Sequence, residues 1–470
     1  MKLFARPNSF SEAMKSVIYF NNVLGLRTFE YPRGRPRPLL SLIYFLIIYA
    51  IFCGGISNME RYFVNVSLLK LEYILYLITT YIYIVSVILK MILGWWHSKQ
   101  IAVCYKKIFE IDKTLRELGL TINYDKIYFT TIGIVAAWVV VIIIFIITGL
   151  FYMRSRADIL TAIYILFVTL LSLSIDYINM FEFCIFARCL QTKFESINHL
   201  LHETIRNLSA DETKLGTFEL KDYTKLMDFE QQKNILSTKI ISEWRQRFYS
   251  ASNFILRKHS PVTSQIEMHI PFQIKKEIQN KLRNRSHENI SATKRENHKH
   301  LLQIMKQMHL ELCEISRIIC SSFGVQTSWE IGVVILFIIQ TLYSYYNRYI
   351  VRLQIAPVED TILSTLVCFV DIFKIIALSR ACKDAADEGN KTVELIHVTY
   401  GCNTDIDTQE EMQQFGLQIL QSPVVFCVFG LPLDNHILSM ILKTVTTYMV
   451  IMIQVSSSLE SNSNIKDLHF

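Results

Sequence analysis

The alternation of apolar and polar stretches is the first feature of this chain. Seven apolar runs carry few charged residues, and most of them reach the roughly 20 residues with which a helix crosses a bilayer. Residues 139–147 have no polar face, whereas a helix of a soluble protein would show one with a period of 3.6 residues. The pattern predicts an all-α, polytopic membrane protein with seven transmembrane helices. They are predicted at residues 39–56, 73–93, 127–150, 159–184, 333–346 with a polar approach from 325, 361–378 and 433–455.

The longest polar segment, residues 190–325, has an amphipathic stretch at each end. Apolar residues there follow one another at steps of three and four, which places each set on one helical face. The two sets are Leu190, Phe194, Ile197, Leu201 and Ile205, and Leu301, Ile304, Met308, Leu312, Ile315 and Ile319. We expect helical extensions of spans four and five that pack below the membrane; binding to a lipid surface is the alternative. Residues 209–296 between them are rich in Lys, Glu, Asn and Gln.

Lys and Arg residues set the expected orientation, because the cytoplasmic flanks of membrane proteins are enriched in them. With the N-terminus inside, the short inner segments hold 16 of these residues and the outer segments hold 6. The N-terminus is therefore predicted to be cytoplasmic and the C-terminus extracellular. The segments are 1–38 (cytoplasmic), 39–189 (helices one to four), 190–325 (long cytoplasmic loop), 326–379 (helices five and six), 380–422 (cytoplasmic), 423–456 (final helix) and 457–470 (extracellular tail).

Composition narrows the function. Hydrophobic residues make up 51% of the chain and charged residues 19%, below the roughly 25% of soluble domains. The net charge of +7 lies in the inner flanks, so it indicates membrane orientation and no nucleic-acid partner. The ten cysteines contain no Cys-x-x-Cys pair, and the scattered histidines lack metal-ligand spacing. We therefore expect no metal, no other cofactor and no enzyme activity.

The last apolar run contains an unusual polar pattern. It begins with Thr447 and Tyr448, continues through five apolar residues that include Ile451, and ends with Gln454 and Val455. An amide at membrane depth is costly unless it has a partner or faces water. Gln454 therefore needs either a neighbouring helix or an aqueous path, and the residues alone leave both open.

Three places in the chain resemble the insect gustatory receptor family. The family signature in the last helix is Thr-Tyr, five hydrophobic residues, Gln and Phe, and here Val455 takes the place of Phe. A second similarity lies before that helix, at Phe426, Gly430, Leu433 and Asp434. A third is the helix after span four, at Phe194, Ile197, Asn198 and Leu201, with Ser322-Phe323-Gly324 ahead of span five.

The resemblance implies a tastant-gated, non-selective cation channel in the plasma membrane of chemosensory neurons. It implies a tetramer of identical or related subunits, embedded in lipid, with the seventh helices around a central pore. By residue matching, Gln454 and Val455 lie near the outer gate, Ile451 belongs to the same pore segment, and Thr447 and Tyr448 lie lower on the helix. A ring of amides beside an apolar residue can gate by constriction and dewetting.

The resemblance also implies a ligand pocket in the outer half of each bundle. Aromatic faces with a few hydrogen-bonding groups suit both sugars and bitter compounds. The best chemical candidates are Gln340, Thr341, Tyr343, Ser344, Tyr345 and Tyr346 in span five, with Tyr73, Tyr76, Thr79 and Thr80 in span two as weaker ones. The alternative is an interfacial aromatic belt, which uses the same residue types at the same depth.

Charged residues inside the spans are expected to make contacts within the bundle. Asp371 and Lys374 are three residues apart, so they can pair along one helical face. Asp176 and Glu182 in span four, and Glu330 near span five, are interpreted as bundle contacts.

Two other receptor classes share the seven spans. An insect odorant receptor channel has the same topology, although the Thr-Tyr and Gln pattern argues against it. A G-protein-coupled receptor would place its N-terminus outside, and the sequence contains no Asp-Arg-Tyr after the third span and no Asn-Pro-x-x-Tyr in the last. A transporter would show internal hydropathy repeats, which this sequence lacks.

Overall fold

The computed structural model describes residues 7–28, 37–63, 70–154, 158–212, 290–351, 358–399, 406–428 and 430–467. Most of the polar insert predicted at 209–296 lies outside these residues. The elements are α1 Phe10–Ala13, α2 Lys15–Val23, α3 Pro38–Phe63, α4 Lys70–Glu117, α5 Asp125–Met153, α6 Ile159–Glu212, α7 Ile290–Tyr345, a π-helix Tyr346–Val351, α8 Val358–Thr399, α9 Ile406–Gln421, β1 Cys427–Val428, β2 Leu431–Pro432 and α10 His436–Asp467.

The membrane fold follows from the length and composition of these helices. In the described part of the chain, α4 to α8 and α10 are long and apolar enough to cross a membrane. The first predicted span lies in α3, whose apolar stretch Leu39–Gly55 is shorter than those of the other six. The prediction of an all-α, multi-pass membrane protein is confirmed.

Two helices extend far beyond a bilayer. Helices α6 and α7 have 54 and 56 residues. At 1.5 Å per residue each is about 80 Å long, whereas the hydrocarbon core is about 30 Å thick. The predicted span at 333–346 is therefore only one part of α7, which begins at Ile290 and has no break at the polar approach.

The chain divides into two compact units. The larger unit comprises residues 1–196, 308–391 and 422–470. Among the membrane-spanning helices, α7 is the most buried: 61% of its apolar 18-residue stretch is buried inside the chain, compared with 17% for α10. Phe183 stacks on Phe323, and Phe186 meets the N-terminal Phe10 edge to face, each with 5.4 Å between ring centroids. The N-terminal segment thus belongs to the core of this unit.

The smaller unit comprises residues 197–307 and 392–421. Its α9 is amphipathic and buries Met412, Phe415 and Ile419, which lie on one helical face. Lys306 lies 3.7 Å from Glu411 at the edge of this packing. Most polar positions of α9 are exposed or half-buried, with Thr408 an exception, as expected for a helix that covers an apolar surface.

A hairpin of β1 and β2 leads into α10. Its turn contains Gly430 at φ +79°, a conformation that residues with side chains rarely adopt. Before the hairpin, the Asn390 amide donates to the Val424 carbonyl and accepts from the Val424 N–H, both at 3.0 Å. After it, Asp434 Oδ1 accepts from the His436 N–H at 2.9 Å. The last helix therefore begins at His436, some residues later than the predicted 433.

Candidate functional site

A mostly polar stripe, interrupted by one apolar residue, runs along the exposed side of α10. Residues at steps of three and four share one face of a helix. The α10 stripe consists of the exposed residues His436, Ser439, Lys443, Thr447, Val450, Gln454 and Ser457. The opposite face buries Ile437, Ile441 and Val445 against the chain. A segment apolar enough to cross a membrane therefore presents a polar face to its surroundings.

The structure places only some of the predicted pore residues on this stripe. Thr447 and Gln454 lie on it, and Ile451 lies at its edge. Tyr448 and Val455 each follow a stripe residue, so they point about 100° away from it. Both are exposed, at 53% and 40%. The apolar residue on the stripe between Thr447 and Gln454 is Val450, which the sequence pattern did not single out.

The exposure of Gln454 bears on the two alternatives left by the sequence. Within the described residues its side-chain amide bonds to no other helix, and only its backbone carbonyl accepts, from Ser457 Oγ at 2.9 Å. The fixed intramolecular partner that would have explained a buried amide is therefore missing from the described part of the subunit. An aqueous path or a second subunit remains to satisfy the amide.

Two of the predicted ligand residues of span five, Gln340 and Tyr343, form a polar face with Asn347 of the following π-helix, which was not predicted. Gln340, Tyr343 and Asn347 are three and four residues apart and lie on one side. Tyr343 and Asn347 are fully buried. Among the described residues, the Gln340 carbonyl oxygen, the Tyr343 hydroxyl and both amide atoms of Asn347 have no hydrogen-bond partner. Buried polar atoms normally have one, so this face is a candidate recognition surface for a polar molecule.

The other predicted ligand residues have partners or different surroundings. The Thr341 hydroxyl donates to the Phe337 carbonyl of its own helix at 2.9 Å. Ser344 donates to the buried carboxylate of Glu72 at 2.8 Å, which ties α7 to α4. Tyr346 begins the π-helix, and the side chain of Tyr76 lies outside the described residues. The polar face thus contains only two of the residues that were predicted to bind the ligand.

The π-helix Tyr346–Val351 continues α7 and contains Asn347, the last residue of the polar face. In a π-helix the backbone bonds run from residue i to i+5, and such segments are frequent at functional sites because they re-aim side chains. Here the π-turn contains Asn347, which is fully buried. The local backbone therefore sets the direction of one of the unpartnered amides.

A buried charge network joins four helices of the larger unit. Lys90 of α4 pairs with Asp176 of α6 and with Glu330 of α7. Lys374 of α8 pairs with Glu330 and, at 2.8 Å, with Asp371 on its own helix. The expected Asp371–Lys374 pair and the expected bundle contacts of Asp176 and Glu330 are confirmed. Charges that are paired in this way can be held away from water at a tolerable cost.

Two further buried acidic residues, Glu182 and Asp112, hold the N-terminal segment and α4 against α6. Glu182 accepts from Asn21 at 2.8 Å and from Arg27 at 2.5 Å, which fixes the N-terminal segment to α6. Asp112 pairs with Lys193 and accepts from the Tyr124 hydroxyl. Burial, together with the nearby acidic groups, raises the pKa of Tyr124 well above its usual range. Tyr124 therefore acts as a neutral hydrogen-bond donor at physiological pH.

Several of these residues were missed by the sequence analysis. Lys90 and Lys443 are lone charges in apolar runs, and that property alone could have drawn attention to them. Asn347 lies just past the predicted end of span five, so a search confined to the span omits it. No group of His, Cys, Asp and Glu among the described residues is arranged to hold a metal ion.

Comparison with known proteins agrees with this architecture. A sequence model of the 7tm chemosensory receptor family matches residues 14–249 and 272–458, about nine-tenths of the chain. No curated protein sequence gives a significant match.

Solved structures of similar fold include the insect olfactory receptor OR5 from Machilis hrabei. Its complex with eugenol aligns at a TM-score of 0.54 and 10% identity over 94% of this chain and 98% of that one. Another structure of the same receptor aligns at a TM-score of 0.52 and 10% identity, over 94% of this chain and 97% of that one. At this identity the likeness establishes the fold alone.

Proposed function

Because the chain belongs to the 7tm chemosensory receptor family, we propose that it is a subunit of a tastant-gated, non-selective cation channel. We place this channel in the plasma membrane of chemosensory neurons. Its N-terminus is cytoplasmic and its C-terminus extracellular, as the Lys and Arg distribution predicts.

The α10 stripe is the observation that carries the channel proposal. A Lys at membrane depth costs about 2.5–3.5 kcal/mol when it faces lipid, and polar side chains there are found on bundle interiors or along aqueous paths. Lys443, Thr447 and Gln454 all lie on the side of α10 that the rest of the chain leaves exposed. An aqueous pore satisfies all of them at once.

A pore requires more than one subunit, since a single helix cannot enclose an aqueous path. We propose a tetramer of identical or related subunits, with one α10 from each around the axis. The amide of Gln454 then forms a ring near the outer end, and Val450 places an apolar ring one turn below it. Such a pair can close by constriction and dewetting without a charged gate.

The polar face at Gln340, Tyr343 and Asn347 is the proposed recognition surface of each subunit. Its unpartnered groups comprise two carbonyl oxygens, one hydroxyl and one amide NH₂. A ligand that offers both donors and acceptors, such as a sugar or a hydrogen-bonding bitter compound, can pair with all of them. A purely apolar ligand would leave them buried and unsatisfied at about 1–3 kcal/mol each.

An odorant receptor channel is the second candidate. The similar structures are those of an olfactory receptor, and one of them was solved with the small molecule eugenol. The fold is compatible with either subtype. The density of hydrogen-bonding groups on the polar face favours the taste receptor.

Whole-cell recording tests the proposed channel. Cells expressing the protein would be exposed in turn to sucrose, fructose, caffeine, quinine and eugenol, with the surface level measured in parallel. We expect a current evoked by at least one of the first four probes. Gln454→Ala should change the unitary conductance or the ion preference by about twofold or more, because the amide ring lies at the constriction.

Leu442→Ala provides the matched control, since Leu442 is 65% exposed on the same helix but lies off the stripe. We expect its current to resemble that of the wild type. Unchanged conductance and ion preference in Gln454→Ala, at normal surface levels, would contradict the assignment of the pore. A response to eugenol alone would favour the odorant receptor.

A further inference from the structure

The α10 stripe carries one charged residue that the gate does not use. Lys443 is the only Lys, Arg, Asp or Glu between residues 436 and 458. It is exposed, and no carboxylate in the described part of the chain pairs with it. On the helix it lies eleven residues before Gln454, which is about 16 Å along the axis. It also lies about 10 Å after the start of α10 at His436.

The neighbours of Lys443 indicate which medium it faces. Ser439 and Thr447 precede and follow it on the stripe, and His436 lies one further step toward the start of the helix. A lysine that extends from lipid to the headgroups needs only its own flexible stem, and it needs no polar neighbours on the same face. A stripe that is polar on both sides of the lysine is instead typical of a wall along water.

We propose that Lys443 of each subunit places a fixed positive charge on the wall of the conduction path, near its inner end, and that this ring disfavours divalent relative to monovalent cations. The inference rests on the proposed channel function and adds a residue that determines ion selectivity. It assigns to Lys443 a role separate from that of Gln454, which forms the outer constriction.

Electrostatics gives the direction of the effect. The repulsion between a fixed charge and a passing ion scales with the charge of the ion, so Ca²⁺ meets twice the barrier that Na⁺ meets. Low-dielectric helix walls strengthen the field inside a narrow path, and salt screens it over about 10 Å at 0.1 M. Removing the charge should therefore raise the ratio of Ca²⁺ to Na⁺ permeability, and the change should be larger at low ionic strength.

The first measurement asks whether position 443 faces water. Lys443→Cys and Leu442→Cys would be labelled from the cytoplasmic side with a charged, membrane-impermeant maleimide, and the extra label counted by gel shift over the native cysteines. The two positions have the same depth, and Leu442 is 65% exposed about 100° away. We expect labelling at 443 to be about tenfold faster, because thiolates form in water and not in lipid.

The second measurement reads ion selectivity directly. Reversal potentials in Na⁺ and Ca²⁺ solutions would be recorded for the wild type, Lys443→Gln, Lys443→Glu and Lys443→Arg, using whichever of sucrose, fructose, caffeine or quinine evokes a current. We expect the Ca²⁺ to Na⁺ permeability ratio to rise about threefold in Lys443→Gln and further in Lys443→Glu. Lys443→Arg keeps the charge and should keep the wild-type ratio.

The outcomes separate the two proposals. A channel that conducts normally and shows one permeability ratio in all four proteins would overturn the charge ring and leave the channel function standing. Equally slow labelling at 442 and 443 would place the lysine in lipid and overturn it as well. Absence of any evoked current in the wild type would overturn the channel function itself, and the charge ring with it.

Discussion

Asn347 is buried in the π-helix with both amide atoms unpartnered among the described residues. If the amide had a purely structural role, it would lower the free energy of unfolding by about 1–3 kcal/mol, and an apolar side chain of similar shape would restore that stability. In a recognition role the ligand supplies the missing partners. A single substitution can therefore separate stability from ligand affinity at this position.

We expect Asn347→Leu to leave thermal stability in detergent unchanged or raised, while the concentration of a sugar or alkaloid needed for half-maximal current rises about tenfold. Thr341→Val is the control, because the Thr341 hydroxyl already bonds to the Phe337 carbonyl. It should alter potency little. Lower stability in Asn347→Leu with unchanged potency would assign the amide to structure alone.

Gly94 of α4 lies against the backbone of the N-terminal segment. A Cβ at this position would lie 2.5 Å from the Leu26 carbonyl oxygen, and backbone cannot move aside as a side-chain end can. We expect Gly94→Ala to lower stability by about 1–3 kcal/mol. Gly133→Ala is the control, since a Cβ there has nothing within 4 Å. It should be neutral or stabilising by up to about 1 kcal/mol through helix propensity. Equal thermal unfolding of the two variants would contradict this close contact.

Single residues were predictable where the chemistry was visible in one stretch of chain. Gln454 and Tyr343 were named as candidates because polar groups stand out in apolar runs, and their roles stay predictions. Lys90 was missed because its role in the charge network depends on Asp176 and Glu330, which are distant in sequence. Val455 and Tyr448 were grouped with Gln454 by a sequence motif, although the turn of the helix points them to another side.

At the scale of helices, the charge network shows how α4, α6, α7 and α8 are held in register. Glu330 is its centre, since its two carboxylate oxygens bind Lys90 of α4 and Lys374 of α8. The second oxygen of Asp371 has no hydrogen-bond partner among the described residues. The three pairings between helices fix the height of one helix against another, because the charged groups have few other places to bond.

We expect Glu330→Gln to lower stability by about 3–5 kcal/mol, because two buried ammonium groups lose their shared carboxylate. Glu314→Gln on the same helix is the matched control: Glu314 pairs with Lys107 at 2.5 Å, but its side chain is 55% exposed. An exposed pair contributes about 0–1 kcal/mol. Thermal unfolding in detergent compares them, and similar losses in both variants would show that the network contributes no more than a surface pair.

The length of α7 illustrates what hydropathy predicts about an element. Its apolar part was predicted at 333–346 because Gln326, Thr327 and Glu330 interrupt the apolar run. All three are buried, and Glu330 is satisfied by lysines from other helices. A sequence window scores these residues as loop-like, since it cannot include partners that lie elsewhere in the chain. The amphipathic period at 301–319 predicted a helical extension of span five, and this stretch lies within α7.

At the scale of the whole molecule, the fold class, the multi-pass membrane architecture and the chemosensory family were accessible from the sequence. Hydropathy sets the number and length of the apolar helices, and these constraints act along a continuous stretch of chain. The pairing of helices and the choice of ligand depend on side chains that meet in space. For that reason the unpartnered groups of the polar face, and the joining of four helices by the charge network, emerged only with the structure.

Membrane orientation is the prediction that belongs to this scale. We expect an epitope tag at the C-terminus to stain on unpermeabilised cells, and a tag at the N-terminus to stain only after permeabilisation, because the inner flanks hold most Lys and Arg residues. A tag in the loop at 209–296, stained the same way as the N-terminal tag, is the internal control. The reverse pattern would direct the search toward G-protein signalling.

The buried charge network also constrains how the protein is made. Spans enter the bilayer in order of synthesis, and an Asp or Lys near the centre of a span costs about 2.5–3.5 kcal/mol on insertion. Lys90 and Asp176 can neutralise each other once α6 has arrived, whereas Glu330 is synthesised before Lys374. The Lys90–Asp176 pair thus needs no later helix, and we expect Glu330 of α7 to bind Lys90 before Lys374 of α8 has been made. A nascent chain arrested between these two helices would hold an incomplete ion cluster, a defect that cellular quality control can recognise.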